Sequence, residues 1–147
     1  IIHTSPVLRA VQTAAVLADA LGAPVQVNEA LREWSVGIYE GTTDPAGWEL
    51  HRRVQEQWFD QGRLESRMPG GESYDDIHAR FVPFIKHLLS NRHAGTVILV
   101  GHGGLYAAML PAILVNISRD FARRQGFPYT GIVRAEPTAD GLVCRSW

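Results

Sequence analysis

Two segments of this sequence combine a short apolar run with a helix-like pattern that begins directly after it. Residues 1–14 read IIHTSPVLRAVQTA, and residues 97–104 read VILVGHGG. In the first segment, apolar residues continue at helical spacing, which predicts a strand followed at once by a helix. The run at 96–100 predicts a strand that is buried on both faces. Two such corners constrain the chain to an α/β fold with a mostly parallel sheet.

Residues that favour helix ends and turns predict where the other elements begin. Pro6 suits the first turn of the first helix, with Ser5 or Thr4 as its cap. Ser73 and Asp76 resemble a capping box before a later helix, with Asp in the place of Glu. The remaining extended segment, helices and hairpin are predicted at 25–27, 47–61, 74–89, 105–114 and 131–145.

The length and composition of the chain predict one globular domain over 1–147. Of its 147 residues, 46% are apolar and 20% are charged, which is typical of a chain with a hydrophobic core. The sequence contains no internal repeat, low-complexity tract or linker-like stretch. Within the helix predicted at 74–89, Pro83 is expected to cause a kink.

Charge and cysteine content narrow the classes of partner. The net charge of -1 gives no electrostatic reason to expect a nucleic acid or an anionic membrane surface. No segment reaches the roughly 18 apolar residues that a membrane span needs. The single cysteine, Cys144, excludes an internal disulfide and favours a reducing compartment, the cytoplasm. Because the sequence does not begin with Met, we expect a processed product or a fragment.

Arg9 and His102 follow the two predicted strands at equivalent places. Ligands of open α/β sheets collect at the carboxyl ends of strands, where helix N-termini point their N–H groups outward. The Arg9 guanidinium offers paired donors that suit phosphate oxygens. The alternatives, a solvated surface arginine and a strand-end histidine bonded to a nearby loop, stay open at this point.

Four segments carry motifs in a fixed order. Residues 5–14 read SPVLRAVQTA, 31–41 read LREWSVGIYEG, 69–73 read PGGES and 100–104 read VGHGG. Together they resemble the histidine phosphatase superfamily, the phosphoglycerate mutase-like proteins. Tyr39 stands where that family usually has Trp. The resemblance covers the chain nearly from end to end and implies a three-layer α/β/α fold with helices on both faces of the sheet.

The resemblance also implies roles for four residues. Arg9 would clamp the phosphoryl oxygens, and the backbone amide of Gly103 would add a donor. His102 would donate to the phosphoryl group during transfer, and Glu33 would be the general acid that protonates the leaving alkoxide.

An ordinary structural role for Glu33 stays open beside the catalytic one. As a loop carboxylate it would pair with Arg32 or Arg52, which are close in the sequence. Without the resemblance, this structural role would be the preferred interpretation.

The sequence departs from the family at the nucleophile. The family uses a histidine in an Arg-His-Gly motif after its first strand, and this sequence has no Arg-His-Gly. The string at 92–95 precedes a predicted strand instead of following one, and His3 lies on the wrong element. We therefore expect that a strand-helix unit is missing ahead of Ile1, and that its strand would lie beside the one ending at Val100. Either an N-terminal part is omitted or another chain completes the sheet, and the 147 residues alone are expected to be inactive.

The resemblance implies an acid or broad-specificity phosphomonoesterase that acts on small phosphorylated metabolites without a metal or another cofactor. A phosphoglycerate mutase-type transferase and a non-catalytic phosphate-binding protein are the alternatives. The histidines form no H-x-x-x-H pair and the chain has no G-x-S-x-G, so a metal hydrolase and a serine hydrolase rank below them. The oligomeric state stays open, with a homodimer as one alternative.

Overall fold

Residues 1–91 and 95–147, which the computed structural model describes, contain five strands and five α-helices. The strands are β1 (Ile2–Thr4), β2 (Val25–Val27), β3 (Ile98–Val100), β4 (Arg134–Thr138) and β5 (Gly141–Ser146). The helices are α1 (Leu8–Leu21), α2 (Pro45–Phe59), α3 (Tyr74–Ser90), α4 (Gly103–Ile113) and α5 (Arg119–Gln125). No helix in these ranges is long and apolar enough to cross a bilayer. The string compared above with the nucleophile motif includes Arg92, His93 and Ala94, which lie outside the described residues.

A three-stranded parallel sheet has β1 between β2 and β3. Ile2 lies opposite Val25 on one side and Ile98 on the other. At the carboxyl end of the sheet, the Ser5 N–H donates to the Val100 carbonyl at 2.9 Å. The chain therefore leaves β1 and β3 side by side, which brings the two predicted strand-to-helix corners together.

The prediction that the β3 run is buried on both faces is wrong. Ile98, Leu99 and Val100 are each half-buried, and in the part of the chain that the structure describes β3 is an outer strand of its sheet. A continuous apolar run shows that a strand is apolar on both faces, but it does not show what covers either face. The expectation that a further strand pairs with β3 stays a prediction.

The start of α1 also differs from the prediction. The helix begins at Leu8 with Val7 as its cap residue and no side-chain cap, so Pro6 precedes it. The Ser5 hydroxyl accepts a hydrogen bond from the Val7 N–H at 3.2 Å. Ser5 therefore holds the turn between β1 and α1 and does not cap the helix. At the other end, Gly22 has a φ of 59° and ends α1 as predicted.

The chain divides into two compact units, 1–33 with 80–147, and 34–79. The first unit contains both sheets, and β4 and β5 form the predicted antiparallel hairpin. Its core includes the fully buried side chains of Ile2, Leu31, Phe81, Leu105 and Met109. The single domain over 1–147 stays a prediction.

The second unit, 34–79, has an aromatic core. Trp34 and Trp58 are buried, with ring centroids 5.0 Å apart. The His51 ring stacks on Trp34 with centroids 4.7 Å apart, and burial lowers the pKa of His51. The predicted capping box is confirmed, because the Ser73 N–H donates to the Asp76 carboxylate at 2.9 Å and the Asp76 N–H donates to the Ser73 hydroxyl at 3.2 Å.

A matched pair of glycines gives the first testable prediction. Gly37 and Gly41 both have positive φ, 62° and 71°, but a Cβ on Gly37 would overlap the Pro69 carbonyl oxygen, whereas a Cβ on Gly41 would meet nothing within 4 Å. In both alanine variants, the unfavourable backbone conformation should lower the free energy of unfolding by about 1–2 kcal/mol. In Gly37→Ala, the overlap should lower it by about 1–3 kcal/mol more. Denaturant unfolding measures both, and equal losses in the two variants would contradict the steric argument.

Candidate active site

His102 is the cap residue of α4 and lies directly beyond the end of β3. Its side chain is buried, with 5% exposure, and its two ring nitrogens contact two different residues. The Nε2 atom is 2.7 Å from the hydroxyl of Ser5, and the Nδ1 atom is 3.0 Å from the Nη2 atom of Arg9. Arg9 and Ser5 precede His102 by 93 and 97 positions in the sequence. They form one cluster with it because β1 and β3 are neighbours.

Arg9 lies in the first turn of α1 and is exposed. A guanidinium carries only donors, so Arg9 donates to Nδ1 of His102 and that nitrogen is unprotonated. The exposed position of Arg9 beside a buried ring is suited to an anion that approaches from solvent. The structure therefore brings together the two residues that the sequence placed at equivalent strand ends.

Glu33 joins the same cluster through the start of α4. Its Oε2 atom accepts a hydrogen bond from the Gly104 N–H at 3.1 Å, and its side chain is half-buried. Gly103 is the first residue of α4, and N–H groups in the first turn of a helix have no intrahelical acceptor. All four residues of the predicted site thus meet at the N-terminus of α4.

The arginines proposed as structural partners of Glu33 form other ion pairs. Arg32 lies 3.9 Å from Glu29, and Arg52 pairs with Glu49 and Glu56 on the same helix. The hydrogen bond from Gly104 fixes the Glu33 carboxyl group within the first unit.

The electrostatic environment keeps the His102 ring neutral. Burial lowers the pKa of His102 to about 4, and the positive charges of Arg9 and Arg80 act in the same direction. Arg80, on α3, donates to the Ala30 carbonyl at 2.9 Å. On α4, four residues after His102, burial raises the pKa of Tyr106, so its phenol stays protonated.

Three contributors to this cluster were not predicted from the sequence. Ser5 was assigned to helix capping, although it contacts His102, and Arg80 and Tyr106 were assigned no role. Ser5 lies inside the matched motif at residues 5–14, and this position could have marked it as a candidate site residue. Arg80 and Tyr106 lie outside the matched motifs: Arg80 acts on His102 from α3, and Tyr106 follows His102 by one turn of α4.

The lowered pKa of His102 predicts acid sensitivity. The unfolded chain takes up a proton near the ordinary pKa of 6.5, whereas the folded chain resists it until about pH 4. Stability should therefore be lost as the pH falls from about 6.5 to 4, by at most about 3 kcal/mol from this residue. Denaturant unfolding in phosphate-free buffers measures the slope. A His102→Gln variant should show a smaller slope, and an unchanged slope would contradict the prediction.

The comparisons with known proteins place this chain in a family. The family model of the histidine phosphatase superfamily (branch 1) matches residues 1–147, and the chain belongs to this superfamily. The resemblance predicted from the four motifs is confirmed. A solved mycobacterial glucosyl-3-phosphoglycerate phosphatase in complex with VO3 is similar in fold, with a TM-score of 0.76 and 25% identity over 99% of this chain and 75% of that one. The predicted α/β/α fold class is confirmed by this likeness.

Two curated relatives are each 34% identical to this chain over the aligned residues. A putative phosphoserine phosphatase 2 from Hydrogenobacter thermophilus is 34% identical over 110 residues, which is 75% of this chain and 53% of the relative. A glucosyl-3-phosphoglycerate phosphatase from Mycolicibacterium vanbaalenii is 34% identical over 121 residues, which is 78% of this chain and 53% of the relative. The chain thus spans about half the length of these relatives.

Proposed function

We propose that this chain is part of a phosphatase that hydrolyses small phosphomonoesters through a phosphohistidine intermediate. The observation that carries the proposal is the convergence of Arg9, Glu33 and His102 at the N-terminus of α4. Two relatives that bear phosphatase names support the reaction class.

The reaction has two balanced steps. A histidine nitrogen attacks phosphorus, a P–N bond forms, the ester P–O bond breaks, and the leaving alkoxide takes a proton from Glu33. Water then attacks phosphorus, the P–N bond breaks, and the proton of that water goes to the Glu33 carboxylate. The products are an alcohol and orthophosphate, and Glu33 ends as it began.

Arg9, His102 and Gly103 would meet the negative charge of the transferring group. Phosphoryl transfer is governed mainly by positioning and by fixed donors around the equatorial oxygens. Arg9 supplies a permanent positive charge, His102 a ring N–H and Gly103 a backbone N–H. The proposed reaction needs no metal ion or other cofactor, because these groups supply the electrostatic stabilisation.

The nucleophilic histidine is proposed to lie outside the 147 residues, since the sequence has no Arg-His-Gly. The same observation favours a second candidate, a protein that binds phosphate without turnover. Mutase-type transfer is less favoured, because the short stretch at 41–69 leaves little room for additional segments that cover a substrate. The cytoplasm is the proposed location on the ground of the single Cys144, and a homodimer stays an open prediction.

The test uses the protein expressed from its complete coding sequence. The protein is incubated with p-nitrophenyl phosphate and with a phosphoglycerate, and orthophosphate release is measured. Rapid quenching with labelled ester should trap an acid-labile phosphohistidine. We expect release from both esters and a labelled histidine.

Other outcomes of this experiment would overturn the proposal. Transfer of the phosphoryl group within the phosphoglycerate, without net release, would favour a mutase. Binding of orthophosphate with neither release nor label would favour the non-catalytic protein.

A further inference from the structure

Ser5 and His102 form a buried pair that the proposed reaction does not by itself require. Ser5 is fully buried and His102 is 5% exposed. The Ser5 hydroxyl lies 2.7 Å from His102 Nε2 and also accepts the Val7 N–H at 3.2 Å. The serine thus links the turn after β1 to the ring that follows β3.

The contacts of the ring determine which nitrogen carries its proton. Arg9 can only donate, so Nδ1 of His102 accepts and carries no proton. A neutral imidazole then has its proton on Nε2, where it points at the Ser5 oxygen. A hydroxyl oxygen has two lone pairs, and here they accept the Val7 N–H and the His102 Nε2–H. Ser5 is therefore an acceptor that holds the Nε2–H form.

We infer that Ser5 is a positioning residue that fixes the orientation and tautomer of His102, so that Nδ1 faces the place where Arg9 would hold a phosphoryl group. This inference rests on the proposed function. Because Ser5 retains the proton on Nε2, the ring must gain a second proton, on Nδ1, before Nδ1 can donate to a phosphate oxygen. Anion binding is therefore coupled to proton uptake by His102, and the ring becomes an imidazolium only when the anion is present.

The charged groups around the ring agree with this coupling. Arg9 on α1 and Arg80 on α3 disfavour a positive ring, and burial lowers the pKa of His102 to about 4. Glu33 accepts the Gly104 N–H two residues along α4, and Tyr106 on the same helix stays neutral. A bound phosphate dianion adds negative charge next to Arg9 and Nδ1, which favours the imidazolium.

The tautomer can be measured directly in the full-length protein. Histidine side chains are labelled with nitrogen-15, and two-bond proton–nitrogen NMR spectra are recorded at neutral pH with and without inorganic phosphate. His102 is assigned from the spectrum of a His102→Gln variant. We expect the Nε2–H form without the anion and protonation of both nitrogens with it. The Nδ1–H form in either state would overturn the inference.

Two variants separate positioning from a merely structural effect. Ser5→Ala should produce a mixture of tautomers and weaken phosphate binding by about three- to tenfold, the effect of one lost hydrogen bond. Thr4→Val is the matched control, because Thr4 is also fully buried and its hydroxyl contacts the Ser5 carbonyl, at 3.3 Å, and not the ring. Thr4→Val should keep the tautomer of the unmodified protein. If Ser5→Ala does not fold, the Nδ1–H form in the spectra of the unmodified protein would still overturn the inference.

Failure of this inference and failure of the proposed function give different results. A protein that releases no phosphate from any ester, but shows the expected tautomer and proton uptake and loses that tautomer in Ser5→Ala, would lack the proposed activity and keep the role of Ser5. A protein with phosphatase activity whose Ser5→Ala variant keeps the Nε2–H form would have the activity without that role.

Discussion

Glu33→Gln is expected to lower kcat for an alkyl phosphate by about 10²- to 10⁴-fold, the range typical of a lost general acid. Glutamine keeps the size of the side chain and an oxygen that can accept the Gly104 N–H, but it cannot transfer a proton to the leaving alkoxide. An alkoxide is strongly basic and needs that proton, whereas p-nitrophenolate is a weakly basic leaving group. Release of the leaving group should therefore be slowed much less with p-nitrophenyl phosphate. The measurement is kcat/KM for both esters, because kcat/KM reports this first step, whereas hydrolysis of the phosphohistidine is common to both esters and also uses Glu33.

Glu29→Gln is the matched control for this experiment. Glu29 is exposed, lies four residues before Glu33 and pairs with Arg32 at 3.9 Å. Its variant should keep the kcat of the unmodified protein with either ester. Equal losses of kcat/KM with alkyl and aryl esters in Glu33→Gln would indicate a positional role for Glu33 and would contradict its role as the acid.

The parts of the fold that depend on local patterns could be predicted from the sequence. The strand-to-helix corner around residues 1–14, the end of α1 at Gly22 and the capping box at Ser73 and Asp76 each depend on residues within a few positions of one another. Side-chain chemistry at such a distance acts in the same way in almost any fold. These elements were therefore accessible without knowledge of the tertiary structure.

The errors have two different causes, one long-range and one local. Ser5 and Pro6 are suited to a helix start, but the Ser5 hydroxyl is engaged by His102, 97 residues away, and α1 begins later, at Leu8. The helix α5 was missed because its seven residues, RDFARRQ, contain little apolar periodicity. Its start is marked by Ser118, whose hydroxyl accepts the Phe121 N–H at 3.1 Å, and this signal was available in the sequence.

The candidate site was predictable as a set of residues but not as an arrangement. Arg9, Glu33, His102 and Gly103 follow from the family motifs. The pairing of β1 with β3 brings Arg9 to His102 and Gly103, and the hydrogen bond from Gly104 brings Glu33 to the same helix N-terminus. The proton positions in the cluster do not follow from any motif, because they depend on which donor faces each ring nitrogen of His102. Only the distances across the sheet provide that information.

His102→Ala is expected to lower kcat/KM by about 10²- to 10³-fold, the effect of removing one fixed donor to a charge that develops in the transition state. The variant also removes the partner of Arg9, whose guanidinium then loses its contact with a ring nitrogen. Because the donor acts mainly in the transition state, the loss should fall on kcat more than on KM. Vanadate adopts the geometry of the transferring group. In the variant, its inhibition constant should therefore rise by a larger factor than the dissociation constant of orthophosphate does.

A second histidine offers the control that makes this result specific. His87 lies near the end of α3 and is exposed, so His87→Ala changes the histidine content without reaching the cluster. Its kcat/KM and vanadate inhibition should equal those of the unmodified protein. A loss below tenfold in His102→Ala, with both variants equally folded by circular dichroism, would mean that Arg9 and the N-terminus of α4 meet the phosphoryl charge without the histidine. In that case the neutral ring held by Ser5 would be a structural feature of the corner, and the transition-state role assigned to His102 would be wrong.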